Sequence, residues 1–299
     1  PSQPFTADLD FKMEPGWHVY WINAGDSGEP PKVDWDLPPG ITADPLQFPP
    51  PKRLPLGPLM DFGYENEVVF PVPMHVAPNF TSVFHPTTRN ATLAAHVSWL
   101  VCREVCIPGK GDLAVTRTAV AKAPAAPTTD AVAQSLVTHF HDQLPQPLPA
   151  SDSARFRSTP KGLVLDVTTG SRIVSAQFFP LDQNILANAA PQPVRPLPNG
   201  VQLTLTQDPG LQTPPPALNG LLEVSGAAAY EIHATPGALA ATPSADLSAI
   251  LGIAGLAFLG GILLNLMPCV FPVLFIKGLA LVQGSAQSGQ HGLHRLRAH

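Results

Sequence analysis

Two of the three cysteines in this sequence stand four positions apart, in Trp99-Leu100-Val101-Cys102-Arg103-Glu104-Val105-Cys106-Ile107-Pro108, and the third, Cys269, lies far downstream. Paired thiols can exchange with disulfides, bind a soft metal, or close a structural loop. Four residues of extended strand span about 13 Å, whereas bridged cysteines need Cα atoms within roughly 7 Å, so a Cys102–Cys106 bond requires the backbone to turn. A bond closing so small a loop removes little entropy from the unfolded chain. That makes it a weak staple and favours a bond that opens and closes. The alternatives are a structural disulfide, a metal site completed by His96 or His75, and an inert reduced pair.

The elements that must hold this pair read as strands. In Trp17-His18-Val19-Tyr20-Trp21-Ile22, residues 17, 19 and 21 share one face and 18, 20 and 22 the other. Trp17, Tyr20 and Trp21 are expected to pack within a sandwich, the alternative being a role at the redox site. Asn23 to Gly28 supplies turn residues. Further strands are expected at 33–37, 67–72, 92–101 and 113–119, and short strands punctuated by Pro and Gly suggest an antiparallel sandwich.

From Thr129 to Leu144 the period changes: Val132, Leu136, Phe140 and Leu144 recur every four residues behind a capping Asp130, which predicts an amphipathic helix. Strand-like runs resume at 163–167, 173–179, 201–206, 221–224 and 230–233. With no cysteine among them, they predict a second, non-catalytic β domain. Pro214 to Pro216 reads as a rigid surface loop.

Composition divides the 299 residues unevenly. With 37 Pro and 23 Gly, long helices are excluded from most of the chain, and a net charge of −5 with 13% charged residues offers no basic field for nucleic acid. Residues 247–276 carry no charge and predict a transmembrane helix, because about 20 apolar residues cross a bilayer. Asp246 precedes it and Lys277, His291, Arg295 and Arg297 follow, so the positive-inside rule puts the carboxy-terminal flank in the cytoplasm and the β domains outside. In a bacterium that outside is the periplasm, where disulfides form. Asn265, Pro268, Cys269 and Pro272 interrupt the span, and such a kink requires other protein around it. The chain is therefore expected to be the amino-terminal piece of a larger membrane protein.

The run Gly260-Gly261-Ile262-Leu263-Leu264-Asn265-Leu266-Met267-Pro268-Cys269-Val270-Phe271-Pro272-Val273-Leu274, with Lys277 following, resembles the opening transmembrane helix of the DsbD family of transmembrane thiol–disulfide reductants. Trp17 to Gly28 and Trp99 to Pro108 resemble that family's amino-terminal periplasmic region, more closely its ScsB-like branch, where a second β domain precedes the membrane part. The resemblance is weakest over residues 154–234. It implies that Cys102 and Cys106 are the redox pair of an immunoglobulin-like domain, with Cys106 the attacking thiol. It implies further that Cys269 is the first cysteine of an intramembrane pair whose partner lies in a later helix. Asp61-Phe62-Gly63-Tyr64 matches the family's aromatic cap, which would make Phe62 and Tyr64 shields of the pair. The interval between Cys102 and Cys106 is shorter than in the best-known members.

The fold expected is thus mainly β: two immunoglobulin-like sandwiches joined by a short helical linker and followed by one transmembrane helix. The expected boundaries are 1–123, 124–150, 151–240, 241–283 and a cytoplasmic flank at 284–299. The resemblance implies an inner-membrane protein-disulfide reductase passing electrons by thiol exchange to periplasmic acceptors. These would be disulfide isomerases, or thioredoxin-like proteins of cytochrome c maturation or copper tolerance. Electrons would come indirectly from cytoplasmic thioredoxin, through a carboxy-terminal thioredoxin-like domain. The cysteines carry the electrons, so no cofactor and no metal is expected. The rival readings are a membrane-anchored binding or assembly module with a structural disulfide, and a copper-binding protein. Four Met and no His/Met cluster weigh against the latter.

Overall fold

Strands build the first half of the chain, some alternating between buried and exposed side chains, as over Asn90–Cys102, and others buried on both faces, as over His18–Gly25 and Glu67–Val76. In the computed structural model, which describes residues 4–78, 90–118, 130–160, 162–224, 228–238 and 247–265, nine strands precede the first helix. They are β1 (Phe5–Lys12), β2 (His18–Gly25), β3 (Lys32–Asp36), β4 (Ile41–Ala43), β5 (Lys52–Leu56), β6 (Leu59–Glu65), β7 (Glu67–Val76), β8 (Asn90–Cys102) and β9 (Cys106–Thr118). One sheet has the order β1-β7-β4; the other runs β3-β8-β2-β6-β5, with β9 added to β8. The inward residues of both sheets, among them Leu9, Val19, Trp21, Phe62, Phe70, Val72 and Val97, form one core. Burying each such side chain is worth about 1.5–3 kcal/mol, and this apolar seam is what holds the two sheets together.

Strands β8 and β9 form a long hairpin whose register runs unbroken from Asn90↔Thr118 to Cys102↔Cys106. Gly109 and Gly111 both lie within β9. The Trp99 indole lies across them: a Cβ on Gly109 would stand 2.4 Å from Trp99 Cε2. A glycine in a strand is tolerated where a large neighbouring side chain takes the space of the missing one.

Helix α1 (Ala131–Asp142) begins where expected, with the Asp130 side chain accepting from the Val132 amide at 3.1 Å. Its apolar stripe is used only in part. Phe140 packs on the first core and His141 Nε2 meets Asp8 Oδ1 at 2.7 Å, but Val132 is exposed.

The second β region comprises β10 (Gln146–Pro147), β11 (Ser153–Thr159), β12 (Gly162–Thr168), β13 (Ala176–Pro180), β14 (Val194–Leu197), β15 (Gly200–Leu205), β16 (Leu218–Val224) and β17 (Ala228–Pro236). Their pairing follows one path, β13-β16-β17-β11-β12-β15-β14, with β10 beside β17. Strand β17 is antiparallel to β16 along its length, then pairs parallel with β11 at Arg155↔Thr235 and Phe156↔Pro236. It thus links two layers that enclose Phe156, Leu163, Leu165, Phe178, Leu203, Leu205 and Ile232.

The two β regions share apolar packing. Phe179 of β13 and Leu221 of β16 belong to the first region's core, where the Phe179 ring meets Phe62 at 5.2 Å and Trp21 at 6.2 Å between centroids, both edge to face.

Within the run expected to cross the membrane, the described residues form α2 (Leu247–Asn265), in a unit separate from residues 1–240. Its 19 residues rise about 28 Å at 1.5 Å each, just short of the roughly 30 Å of bilayer hydrocarbon. Among the described residues no helix is long and apolar enough to cross a membrane. Cys269 and the flank at 284–299 lie outside the described residues.

Candidate functional site

The required turn is present. Cys102 and Cys106 form a disulfide with Cα atoms 4.1 Å apart, as directly opposed residues closing the β8–β9 hairpin. Arg103, Glu104 and Val105 make the connection, closed by the Arg103 amide donating to the Val105 carbonyl at 3.3 Å. The Arg103 guanidinium lies 5.2 Å from the centre of the Trp17 ring, and its side chain passes over Gly16, whose positive φ of 82° leaves room for it. Trp17 therefore anchors the disulfide turn as well as lining the sandwich.

The two sulfurs differ sharply in access. Cys102 is fully buried with Tyr20, Ala24 and Leu100, on the face of β8 opposite the sandwich core, whereas Cys106 is exposed. Val97, Trp99 and Val101 point the other way. This alternation determines the surroundings of the pair. His18 opposes Cys102 across β2 and β8, and Tyr20, two residues on, shares its face.

The Tyr20 hydroxyl stands 3.5 Å from Cys106 Sγ. A disulfide sulfur carries no proton, so the phenol is the donor. Burial pushes the Tyr20 phenol up to about 12, the Asp61 carboxylate adds to the rise, and a Ser27 hydrogen bond opposes it. The phenol therefore keeps its proton at any physiological pH. Asp61, wholly buried on β6, accepts from the Ser27 amide at 3.1 Å and from the Ser27 hydroxyl at 2.9 Å. His18 Nε2 lies 3.6 Å from Asp61 Oδ2 and, among the described residues, has no hydrogen-bond partner.

The expectations for Trp17, Tyr20 and Trp21 thus divide. Trp21 is core, while Tyr20 touches the disulfide and Trp17 touches its turn. The sequence points to Tyr20 chiefly as a packing residue and to Asp61 only as part of the cap segment; His18 and Ser27 are not among the expected site residues. The available signal was the shared two-residue period of β2 and β8, since the residues of β2 that are not in the core must lie beside Cys102.

Phe62 and Tyr64, expected to cap the pair, are placed in the core instead. Phe62 packs on Phe179, and Tyr64 donates its hydroxyl to the Pro49 carbonyl at 2.5 Å while its ring meets Phe70. The reason is again the alternation: residues 62 and 64 of β6 face inward, leaving Asp61 and Gly63 on the outer face. Tyr20 is covered by the loop after β2, with Gly28 lying against its ring.

Neither histidine considered as a metal ligand stands with the cysteines. His96 Nδ1 pairs with Asp112 Oδ1 at 2.6 Å and His75 Nε2 with Asp44 Oδ2 at 2.8 Å. Among the described residues no group of three His, Cys, Asp or Glu is arranged to hold a metal ion.

An apolar groove of about 450 Å³ runs beside the hairpin, lined by Phe11, Trp17, Trp99, Val101, Ile107 and Leu113 among others. Ile107, exposed beside the disulfide, is one of the groove's lining residues.

Comparison with known proteins agrees with this geometry. Residues 1–118 match the family described as thiol:disulfide interchange protein DsbD, N-terminal. No curated protein matches the chain. The crystal structure of the N-terminal periplasmic domain of ScsB from Proteus mirabilis has the same fold, with a TM-score of 0.54 at 17% sequence identity, covering 79% of this chain and 90% of that one. The resemblance to DsbD and ScsB read from the sequence therefore stands, and it rests on a match of residues 1–118 to the DsbD amino-terminal family.

Proposed function

From the match of residues 1–118 to the DsbD amino-terminal family, we propose that Cys102 and Cys106 are the exchange pair of a protein-disulfide reductase acting on periplasmic acceptors. One observation carries this reading: the buried Cys102 and the exposed Cys106, with the Tyr20 hydroxyl against the latter, divide the labour that exchange needs. Once the pair is reduced, the exposed Cys106 thiolate attacks a sulfur of the acceptor disulfide. The acceptor's bond breaks, its other sulfur leaves as a thiolate and takes a proton, and a mixed disulfide with Cys106 forms. Cys102 thiolate then attacks Cys106 Sγ, re-forming the Cys102–Cys106 bond and releasing the acceptor as a dithiol. Two electrons have passed. The protonated Tyr20 phenol donates to the Cys106 thiolate and so increases its share at neutral pH.

The immunoglobulin-like description, the domain boundaries and the membrane part belong to the same proposal. The uncharged run 247–276, which begins as α2, enters the inner membrane, and Cys269 within it receives electrons originating from cytoplasmic thioredoxin. The acceptors are disulfide isomerases or thioredoxin-like proteins, and the cysteines need no cofactor. The support is the sequence of residues 260–274 and the periplasmic origin of the ScsB domain that shares the fold.

The test is the reduction potential of the Cys102–Cys106 pair, found by equilibrating the protein in thiol buffers and reading alkylation by mass. A value between about −120 and −270 mV, the range of exchange proteins, supports the relay. A value below about −300 mV makes the bond structural and the protein a binding module.

A further inference from the structure

The second β region carries no cysteine, yet it reaches the disulfide through a continuous chain of hydrogen bonds and packing contacts. The Asn23 side-chain amide donates to the Pro180 carbonyl at 2.8 Å, and its oxygen accepts from the Gly25 amide at 3.0 Å. Asn188, on the segment between β13 and β14, donates through Nδ2 to Asp26 Oδ1 at 2.8 Å. The other oxygen of Asp26 accepts from the Met60 amide at 2.7 Å, which ties this loop to the start of β6. Arg53 completes the seam by donating to the Asn188 and Ala190 carbonyls.

The loop clamped in this way is the one that covers Tyr20. Ser27, next to Asp26, binds Asp61 through both its amide and its hydroxyl. Gly28, one residue further, leaves no space above the ring, because a Cβ there would meet Tyr20 Cζ at 2.1 Å. Displacing this loop would release the ring whose hydroxyl stands 3.5 Å from Cys106 Sγ.

We propose that the second β region is the positioning element of the redox site, with Asn188 acting through Asp26, the 23–28 loop and Tyr20 to set the reactivity of Cys106. This rests on the reading of Cys102 and Cys106 as an exchange pair. It gives the cysteine-free region a task that needs no chemistry of its own: to hold a loop of the neighbouring domain in place. Asn188 and Asn23 are positioning residues and touch no reacting atom.

The experiment uses the full 299-residue chain and its reduced form. It follows alkylation of Cys106 by peptide mass across pH, together with the thiol-buffer equilibrium. N188D sets a carboxylate against Asp26, Asn188→Ala removes the donor without adding charge, and N188D combined with D26N restores a donor–acceptor pair in the reverse sense. The expected result is a slower Cys106 reaction at neutral pH in both single variants and an upward-shifted pH midpoint. The exchange constant should shift by about threefold, or about 14 mV for two electrons, and the double variant should return to the wild-type profile. A general loosening of the fold would not be reversed by the swap. Unchanged profiles in both single variants, or a slowed N188D that D26N does not rescue, would overturn the coupling while leaving the exchange reading intact. A wild-type disulfide that resists reduction while folded would overturn both.

Discussion

Gly28 lies directly against the ring of Tyr20, at a separation that leaves no space for a side chain on residue 28. Gly28 also has a φ of 87°, so the position excludes other residues on two counts. Gly28→Ala is expected to cost about 1–3 kcal/mol through overpacking and backbone strain. It should also slow Cys106 chemistry, because the ring must move. Denaturant midpoints and alkylation rates on the same sample check the two effects together.

Tyr20→Phe keeps the ring and removes only the hydroxyl. Hydrogen bonds to charged groups contribute about 1.5–3 kcal/mol, so loss of this one should lower the thiolate reactivity of Cys106 near pH 7 by about tenfold or more. The fold should lose little, since the ring still fills its place. The same variant tests the phenol's own titration. Its folded value, about 12, lies above the ordinary 10, so the unfolded chain releases that proton first and stability falls as pH rises from 10 towards 12. Tyr20→Phe should remove this part of the slope in denaturant titrations.

The contrast in burial between the two sulfurs gives opposite expectations for single-cysteine variants. Cys102→Ala leaves the exposed Cys106 thiol with nothing to resolve a mixed disulfide, so disulfide-linked acceptors should accumulate on non-reducing gels. Cys106→Ala leaves only the buried Cys102 and should trap little. Equal trapping by both variants would contradict the assigned order of attack.

Phe179 is the point at which the second β region enters the first region's core. Phe179→Ala should cost about 3–5 kcal/mol, the usual range for a truncated buried phenylalanine. It should also split a shared unfolding transition into two, as followed by calorimetry.

His96 on β8 provides a pH-dependent contact with β9. The Asp112 carboxylate, through its hydrogen bond and its charge, raises the His96 imidazole above its ordinary value, with Asp36 and Asp34 adding to the rise. A folded value above the unfolded one means that the contribution is complete below the unfolded value and lost as pH rises through the folded one. An NMR titration should place the His96 midpoint above 6.5, and D112N should bring it down.

The strand framework was legible because β8 alternates so clearly and the residues of β2 divide between two faces. Val19 and Trp21 face the core, as do Leu93, Ala95 and Val97. The same alternation held the position of Tyr20 but not its importance, since that depends on which strand pairs with β8 near Cys102. Pairing partners are set by packing across the whole sheet. Phe62 and Tyr64 were misplaced for a related reason: aromatic residues near glycine suit a cover loop as well as a core strand, and only the β2–β6 register separates the two. Strand β11 was missed because its alternation, with Ala154 and Phe156 inward between arginines, is short and polar. The expected strand began only at residue 113, whereas β9 starts at Cys106, because the indole that fills the space of Gly109 and Gly111 comes from the other strand.

The hairpin that ends at Cys102 and Cys106 behaves like a zip fastened by a clasp. All its rungs from Asn90↔Thr118 onward are main-chain pairs that do not depend on the sulfur bond. Opening the clasp leaves the teeth engaged, so the oxidised and reduced proteins present nearly the same flanks to a visitor. A partner gripping those flanks would have no means of knowing which form it had met. The information that tells donor from spent donor is confined to the few atoms at the tip, and release after turnover must be decided there.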